Sequence, residues 1–140
     1  MSEIRKARQI KFQEFGDQKG KLIVIESNKS IPMNIERIFY IYGSAKEVIR
    51  GQHANKDSEF VLVNVSGKSK VKIDYGNSQE IIELNEPHMG VYIPKMIWKE
   101  MYDFSEDSVL LVLSNLKYNP EEYIRDYDEY INLIKHERSN

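Results

Sequence analysis

The chain has 140 residues, of which 41% are hydrophobic and 30% charged, and its formal net charge is −2. This length fits one domain with its own core, and the charge gives no case for a general nucleic-acid binder, because phosphate contacts need a basic face. The absence of cysteine excludes disulfides, thiolate metal sites and cysteine nucleophiles. Because no apolar run suits a signal peptide or a transmembrane helix, we expect a cytoplasmic protein.

Most of the chain consists of short branched-aliphatic and aromatic runs separated by turn residues, which is typical of β-strands. About nine strands at a spacing near ten residues favour an antiparallel sandwich or barrel. A crossover α/β fold would need helices in loops that are too short for them. The predicted strands span residues 21–26, 37–42, 60–65, 70–75, 80–84, 90–93, 98–104 and 109–113.

Two connections between these strands predict hairpins. The sequence SGKS joins strands 60–65 and 70–75, and the turn 75–78 leads into the next strand; both are short and contain glycine. The run VLLVL over 109–113 is apolar without a break, which indicates a strand buried on both faces.

The hydrophobic period changes at the C-terminus. Asn119 is suited to cap a helix, Pro120 suits its first turn, and two glutamates follow that complement the helix dipole. Apolar and aromatic residues then recur at steps of three and four as far as Ile134. The spacing predicts one amphipathic helix over 119–137, which packs on a barrel over about 9–118 or on a partner.

The stretch RGQHANKDSEF resembles part of the metal-binding motif of cupins. His53, Asn55 and Glu59 stand where the motif H-x-H-x(3,4)-E would place two imidazoles and a carboxylate, and Lys99 falls where a further histidine is usual. A transition metal in such a barrel normally takes three imidazoles and a carboxylate, whereas an ammonium repels a cation. We therefore expect no metal and no other cofactor.

His53 has two interpretations that the residues alone leave open. A lone histidine is most often a satisfied imidazole lining a barrel. However, Arg50 and Asn55 on either side of it indicate a polar pocket, and an imidazole is the natural general base at neutral pH.

Five stretches, taken in chain order, resemble the bacterial sugar-nucleotide 3,4-ketoisomerases, which are small cupins that act on dTDP-linked 4-keto-6-deoxyglucose. The resemblance covers nearly the whole chain, and its tryptophan-x-Glu-Met-x-Asp-Phe and Tyr-Ile-Arg-x-Tyr-Asp runs are more specific than a generic cupin pattern. The stretches are IPMNIERIFYIYG (31–43), RGQHANK (50–56), GVYIP (90–94), IWKEMYDFSEDSVLLVL (97–113) and EEYIRDYDEYI (121–131).

The resemblance implies a single all-β cupin jelly roll over residues 1–140, without a metal. It also implies a homodimer with exchanged N-terminal strands, here a strand around Gln9 to Phe15 that pairs with the other subunit and so protects an edge. The implied reaction moves the ketone from C4 to C3 through an enediol. A PLP-dependent aminotransferase then acts at C3, and the resulting 3-amino-3,6-dideoxy sugars enter bacterial surface glycans such as the lipopolysaccharide O-antigen.

The resemblance also implies which residues form the site. His53 falls on the family's proposed base, and Asn55 occupies the second catalytic position, where the family has a histidine. Arg50 falls on the family's arginine, whose fork suits diphosphate oxygens or a developing enediolate. The remaining substrate-binding residues are expected at Arg37, Phe39, Lys19, Lys99 and Trp98.

Two departures from the family pattern bear on the rate. Asn55 cannot carry a proton at neutral pH, and Phe39 replaces a usual tyrosine. Acid–base help of this kind is worth roughly 10²–10⁴-fold, so we expect slower turnover, or a water or another side chain in the relay. Strand alternation argues against Tyr40 and Tyr42, which face outward if Phe39 faces inward. Lys19 and Lys99 match neither branch of the family, which leaves the configuration at C4 of the product open.

Two alternatives to an active isomerase stay open. The missing histidine and tyrosine favour a catalytically silent sugar-nucleotide-binding cupin, used for regulation or scaffolding, whereas the retained His53 and Arg50 favour the enzyme. A nucleotide-sugar 3,5-epimerase is less favoured, because the other runs characteristic of that group are absent.

Overall fold

The computed structural model describes residues 5–138, and nearly all of its regular structure is antiparallel β-sheet. Within these residues no helix combines the length and apolar character needed to cross a membrane. The strands are β1 (Arg8–Lys11), β2 (Glu14–Asp17), β3 (Gly20–Ile23), β4 (Arg37–Tyr42), β5 (Arg50–Asn55), β6 (Phe60–Ser66), β7 (Ser69–Asp74), β8 (Gln79–Leu84), β9 (Met89–Ile93), β10 (Trp98–Tyr102), β11 (Val109–Ser114) and β12 (Tyr123–Ile124); a 3₁₀ turn spans Pro120–Glu122 and the helix α1 spans Tyr127–Arg138.

Two five-stranded sheets form the body of the fold. Their strand orders are β1-β9-β6-β11-β4 and β12-β5-β10-β7-β8, and β2 and β3 form a separate two-stranded ribbon. One apolar cluster takes side chains from both large sheets, including Leu62 and Leu110 from the first and Ile73 and Met101 from the second. The sheets therefore pack face to face, which confirms the predicted antiparallel jelly roll.

The predicted hairpin between strands 60–65 and 70–75 is wrong. β6 pairs with β9 and β11, whereas β7 pairs with β8 and β10, so the two strands lie in opposite sheets. Gly67 lies in the crossing, and a Cβ there would overlap with the Ser105 hydroxyl. Leu62 of β6 and Val71 and Ile73 of β7 belong to one apolar cluster, so the two strands face each other across the core. The second predicted hairpin, at turn 75–78, joins β7 and β8 as expected.

The predicted helix over 119–137 begins later than expected. Asn119 caps only the short 3₁₀ turn, by accepting a hydrogen bond from the Glu121 backbone N–H. Tyr123 and Ile124 then pair with the end of β5, which requires an extended backbone and excludes a helix there. The helix starts at Tyr127 and packs its buried side chains against the outer face of the second sheet.

The predicted strand over 9–15 is divided into two strands. Its first part belongs to β1, which pairs with β9 of the same chain, with Lys11 opposite Met89. Phe12 is buried where the strand breaks, and β2 then pairs only with β3 among the described residues. β1 is an edge strand of the first sheet, so the pairing of residues 9–15 with another subunit stays a prediction.

Candidate active site

A cavity of about 320 Å³ opens between the two large sheets. Its volume lies within the range of small-molecule sites, at the lower end. Its inner wall is mainly apolar, and its polar groups come from β5, β10 and the segment that follows β11. The lining residues are Phe39, Ile41, Arg50, Gly51, His53, Phe60, Leu62, Lys99, Met101, Val112, Tyr118, Tyr123 and Arg125.

A β-bulge in β5 aims two polar side chains into this cavity. Arg50 and His53 are three positions apart, so a regular strand would place them on opposite faces of the sheet. Gly51 and Gln52 both have positive φ, +85° and +58°. His53 lies opposite Lys99 and Gly51 lies opposite the next residue of β10, which leaves Gln52 as the extra residue. The bulge thus returns Arg50 and His53 to the same face, as bulges near active sites commonly do.

The protonation state of His53 follows from its hydrogen bond. Its Nδ1 lies 3.0 Å from the carbonyl oxygen of Gly51, which can only accept. The pKa of the imidazole is lowered to about 4, mainly because the ring is buried and secondly because of the positive charge of Lys99. At neutral pH the ring is therefore uncharged, with its proton on Nδ1 and a free lone pair on Nε2. Tyr123 contacts the ring edge to face, with centroids 4.8 Å apart.

Asn55 and Lys99 form a buried polar pair beside His53. They are 1% and 4% exposed, and the Lys99 ammonium donates to the Asn55 side-chain oxygen over 3.1 Å. The ammonium also lies 4.3 Å from the ring centre of Phe60. Burial lowers the pKa of Lys99 to about 7, while the charge of Glu122 opposes this decrease and that of Arg37 adds to it. The sequence suggested a fixed cation, but at neutral pH this side chain is poised between its two forms.

Glu122 is a buried carboxylate that the sequence analysis assigned only to a helix end. It accepts hydrogen bonds from the backbone N–H groups of Ser58 and Asp57, at 2.7 and 3.0 Å, and from the Ser58 hydroxyl. Burial raises its pKa, but these hydrogen bonds outweigh burial and keep the pKa below its usual range. Glu122 therefore fixes the 3₁₀ turn on the connection between β5 and β6, directly before Tyr123.

Arg37 and Phe39 lie on β4 at the edge of the cavity. Phe39 lines it, whereas Tyr40 is 61% exposed on the opposite face, as strand alternation predicts. The Arg37 guanidinium lies 5.5 Å from the Phe39 ring centre and 5.6 Å from that of Tyr118, and its Nε and one Nη are buried. Arg37 thus stacks behind the aromatic wall and is not among the lining residues.

Trp98 and Lys19 do not reach the cavity of their own chain. Trp98 precedes Lys99 on β10, so its ring faces the opposite side and packs edge to face against Tyr127, with centroids 5.2 Å apart. Lys19 is exposed in the turn of the β2–β3 ribbon, where its backbone N–H bonds the Asp17 carboxylate. Trp98 contributes to helix packing in place of the expected substrate contact.

Three polar lining residues, Tyr118, Tyr123 and Arg125, were not among the predicted site residues. Tyr118 was assigned to the end of the predicted barrel, and Tyr123 and Arg125 were assigned to the predicted helix over 119–137. The Arg125 guanidinium lies 4.7 Å from the Tyr123 ring centre, and Tyr123 and Tyr118 are in ring contact. An extended backbone places Tyr123 and Arg125 on one face and Ile124 on the other. The signal that could have found Tyr123 and Arg125 is the run EEYIRDY, which the family resemblance already included.

The potential metal ligands do not converge on the cavity. The Glu59 carboxylate accepts a hydrogen bond from the Tyr92 hydroxyl over 2.9 Å and is absent from the cavity lining. Across residues 5–138 no three histidine, aspartate or glutamate side chains are grouped so that they could hold a metal ion.

Comparisons with known proteins agree on one group of relatives. The family described as FdtA, WxcM-like, C-terminal matches residues 5–135. A TDP-4-oxo-6-deoxy-alpha-D-glucose-3,4-oxoisomerase of Aneurinibacillus thermoaerophilus is 42% identical over 125 residues, which are 89% of this chain and 90% of that protein.

Solved structures give the same result. One is a histidine-to-asparagine variant of the 3,4-ketoisomerase QdtA from Thermoanaerobacterium thermosaccharolyticum in complex with TDP-4-keto-6-deoxyglucose. It has a TM-score of 0.90 and 39% identity, with 93% of this chain and 94% of that chain covered. Another is WlaRA, a TDP-fucose-3,4-ketoisomerase from Campylobacter jejuni, with a TM-score of 0.87, 42% identity and coverage of 91% and 94%.

Proposed function

On the premise that this chain belongs to the FdtA family of WxcM-like proteins, we propose that it is a 3,4-ketoisomerase of a dTDP-linked 4-keto-6-deoxyglucose. The observation that carries the proposal is the state of His53. It is an uncharged imidazole on the cavity wall with its proton held on Nδ1 by the Gly51 carbonyl, so Nε2 is free to accept a proton. A base with this arrangement is what ketone transposition requires.

The reaction needs one carbon-bound proton to move between adjacent carbons. His53 Nε2 takes the proton from C3, the electrons of that bond form the C3–C4 double bond of an enediol, and the C4 carbonyl oxygen takes up a proton to become a hydroxyl. The O3 hydroxyl gives up a proton in the second half of the reaction, so the oxygen-bound protons balance. The imidazolium then returns the proton to C4 while a new carbonyl forms at C3. One imidazole can do both steps, because the carbon-bound proton leaves and returns while the sugar stays in place.

The positive side chains at the mouth of the cavity support an anionic substrate. Arg50 is largely exposed, and its Nε donates to the Ser44 hydroxyl over 3.1 Å, which orients the guanidinium. Arg125 lies at the same opening, stacked on Tyr123. Guanidinium groups match diphosphate oxygens in bidentate geometry, so we assign the nucleotide diphosphate to this side.

The silent sugar-nucleotide-binding cupin is the weaker candidate. The relatives matched over about nine-tenths of the chain are isomerases by name, and a binding module has no need of an imidazole held in one tautomer. The loss of the second histidine at Asn55 affects the rate of the reaction and leaves its essential base in place.

Incubation with dTDP-4-keto-6-deoxyglucose in deuterated water, followed by proton NMR, tests the proposal. We expect the ketone to appear at C3, with deuterium at C4 in the fraction of turnovers in which the His53 imidazolium exchanges its proton with solvent before the return step. The coupling constants of the product give its configuration at C4. No ketone transfer and no deuterium exchange would overturn the enzyme assignment, and exchange at C5 would point to epimerisation.

We further infer that the product is a substrate for a PLP-dependent aminotransferase in the synthesis of 3-amino-3,6-dideoxy sugars for bacterial surface glycans. A ketone at C3 is the electrophile that transamination needs. Addition of such an aminotransferase to the NMR assay should yield the 3-amino sugar only when the isomerase is present; a 4-amino product alone would contradict this role.

We propose that a homodimer forms through the β2–β3 ribbon. The ribbon pairs with no other strand among the described residues, and it exposes Phe15 and Leu22 at 45% and 59%. β4 is an edge strand of the first sheet, with Ile38 59% exposed on it. Pairing of one subunit's ribbon with the other's β4 would cover both edges and would carry Lys19 toward the second subunit's cavity, where its expected substrate contact becomes feasible.

Sedimentation analysis tests this assembly. Wild-type protein should sediment as a dimer, and Leu22→Glu should shift it toward monomer because a carboxylate would be buried without a partner. A monomeric wild-type protein at micromolar concentration would contradict the assembly.

A further inference from the structure

We propose that Lys99 is the second proton-transferring group of this site, and that it carries the hydroxyl proton between O3 and O4 while His53 carries the carbon-bound proton. The inference rests on the proposed ketoisomerase activity and assigns the part of its relay that Asn55 cannot perform. In this proposal the amide of Asn55 orients the amine of Lys99. The amine then transfers the proton that an imidazole at position 55 would otherwise transfer.

The geometry places Lys99 on the same wall as the base. β5 and β10 are antiparallel, and Lys99 lies directly opposite His53 in the register. Side chains opposite each other on neighbouring strands share a face and lie close together. Both side chains line the cavity, so a substrate whose C3 faces one would present its adjacent oxygens within the same enclosed space.

The surroundings of Lys99 are unusual for a purely structural lysine. The side chain is 4% exposed, and within residues 5–138 it forms no ion pair with a carboxylate. Its contacts are the amide oxygen of Asn55 and the face of the Phe60 ring. An ammonium buried with so little compensation is destabilising, and groups held in this way concentrate at functional sites.

The charges that face Lys99 leave its proton mobile. His53 faces it from β5, Arg37 from β4, and Glu122 from the 3₁₀ turn. Burial lowers the pKa of Lys99 to about 7, with the carboxylate opposing this decrease and the guanidinium adding to it. A group whose pKa lies near the working pH can both give and take a proton, which a relay requires.

The proton balance closes with these two side chains alone. His53 takes the C3 proton, and the electrons of the C3–H bond form the C3–C4 double bond. The C4 carbonyl oxygen takes a proton from the Lys99 ammonium, which leaves a neutral enediol and a neutral amine. The amine then takes the proton of the O3 hydroxyl, the C3 carbonyl forms, and C4 takes the proton from the His53 imidazolium. Both side chains end in their starting states.

Two substitutions of Lys99 distinguish a role in proton transfer from a role as a fixed positive charge. Lys99→Met removes the amine, and Lys99→Arg keeps a positive charge that does not release its proton near neutral pH. We expect both to lower kcat by about 100-fold or more, the usual size of acid–base help, with KM changed by less than about threefold. Wild-type activity should fall on the alkaline side as the ammonium deprotonates near pH 7, and Lys95→Met, on an exposed turn, should reproduce the wild-type profile.

Asn55→His in the Lys99→Met background provides a gain-of-activity test. The new imidazole should raise kcat at least tenfold over Lys99→Met alone, because it restores a group that titrates near neutral pH. Absence of this gain, with the fold verified by circular dichroism, would overturn the pairing of the two positions.

Three further outcomes would overturn either the role of Lys99 or the proposed function. Wild-type kcat in Lys99→Met would make Lys99 a spectator, and wild-type kcat in Lys99→Arg with the alkaline decrease removed would make it a fixed charge; either result overturns the relay. A wild-type protein that transfers no ketone would reject the proposed function itself, which distinguishes that failure from a failure of Lys99 alone.

Discussion

Two strand pairs of this barrel, β6–β11 and β5–β10, contrast in composition and geometry. In β6–β11, Val61, Leu62 and Val63 are at most 1% exposed, and the register with β11 is regular from Leu110 to the end of the strand. Most side chains of the two strands are apolar and buried. This pair provides the hydrophobic burial that stabilises the fold.

The β5–β10 pair has the opposite character. It contains two consecutive residues with positive φ, at Gly51 and Gln52, and it buries an imidazole, an amide and an ammonium. Strained backbone and desolvated polar groups are unfavourable, and they persist only when the surrounding structure holds them. The contrast indicates that the polar groups of the site lie on β5–β10, whereas β6–β11 provides burial and, through Phe60, Leu62 and Val112, only apolar cavity wall. The following experiments test this division.

The largest effect is expected from removal of the base in β5. His53→Asn should lower kcat by about 10²–10⁴-fold, since an amide cannot accept the C3 proton. Ketone transfer measured by NMR checks this. His88→Asn, in the loop between β8 and β9, is the matched control and should retain wild-type kcat. Equal activity of His53→Asn and wild type would remove His53 from the role of base.

The next largest effect is expected in β11, on stability alone. Leu110 is fully buried in the main core and does not line the cavity, so Leu110→Ala should lower the free energy of unfolding by about 2–5 kcal/mol. Urea unfolding measures this loss, and kcat per folded molecule should change by less than about threefold. Ile81→Ala, 60% exposed on β8, should change stability by roughly 0.5 kcal/mol or less. A large decrease of kcat in Leu110→Ala would break the separation of the two pairs.

Substitution of Gly51 in the β5 bulge should lower stability by less than Leu110→Ala does, and it should also lower activity. Gly51→Ala should cost about 1–3 kcal/mol, because φ is +85° and the new Cβ would lie 2.9 Å from the Lys99 carbonyl oxygen. It should also lower kcat, since the same bulge aims His53. Gly43→Ala is the control: φ there is +68°, but nothing lies within 4 Å of its Cβ, so kcat should stay unchanged. Equal losses of kcat in both variants would show that the bulge does not position the base.

The most gradual effect is a pH dependence of stability. Burial holds the pKa of His53 near 4 in the folded protein, whereas an unfolded histidine titrates near 6.5. Between these values the unfolded chain binds more protons, so the free energy of unfolding should fall as pH decreases from 6.5 toward 4. The decrease should be smaller in His53→Asn, as measured by urea unfolding at several pH values. Identical pH dependences would mean that His53 is not desolvated.

Local patterns determined much of the architecture from the sequence alone. Strand 37–42 coincides with β4, and alternation predicted that Phe39 and Tyr40 face opposite sides, as they do: Phe39 lines the cavity and Tyr40 lies outside it. These features depend on side-chain period, which is a property of consecutive residues. The motif around His53 and the runs near the C-terminus likewise indicate the ketoisomerase family from the sequence alone.

The tertiary structure decided what depends on residues far apart in sequence. It placed β6 and β7 in opposite sheets, held Tyr123 extended by pairing it with Asn55, and turned Trp98 toward the helix. The bulge at Gln52 is identified only when β5 is aligned with β10. The lowered pKa values of His53 and Lys99 likewise arise from burial by several strands at once, because desolvation and strand pairing are non-local and consecutive residues cannot encode them on their own.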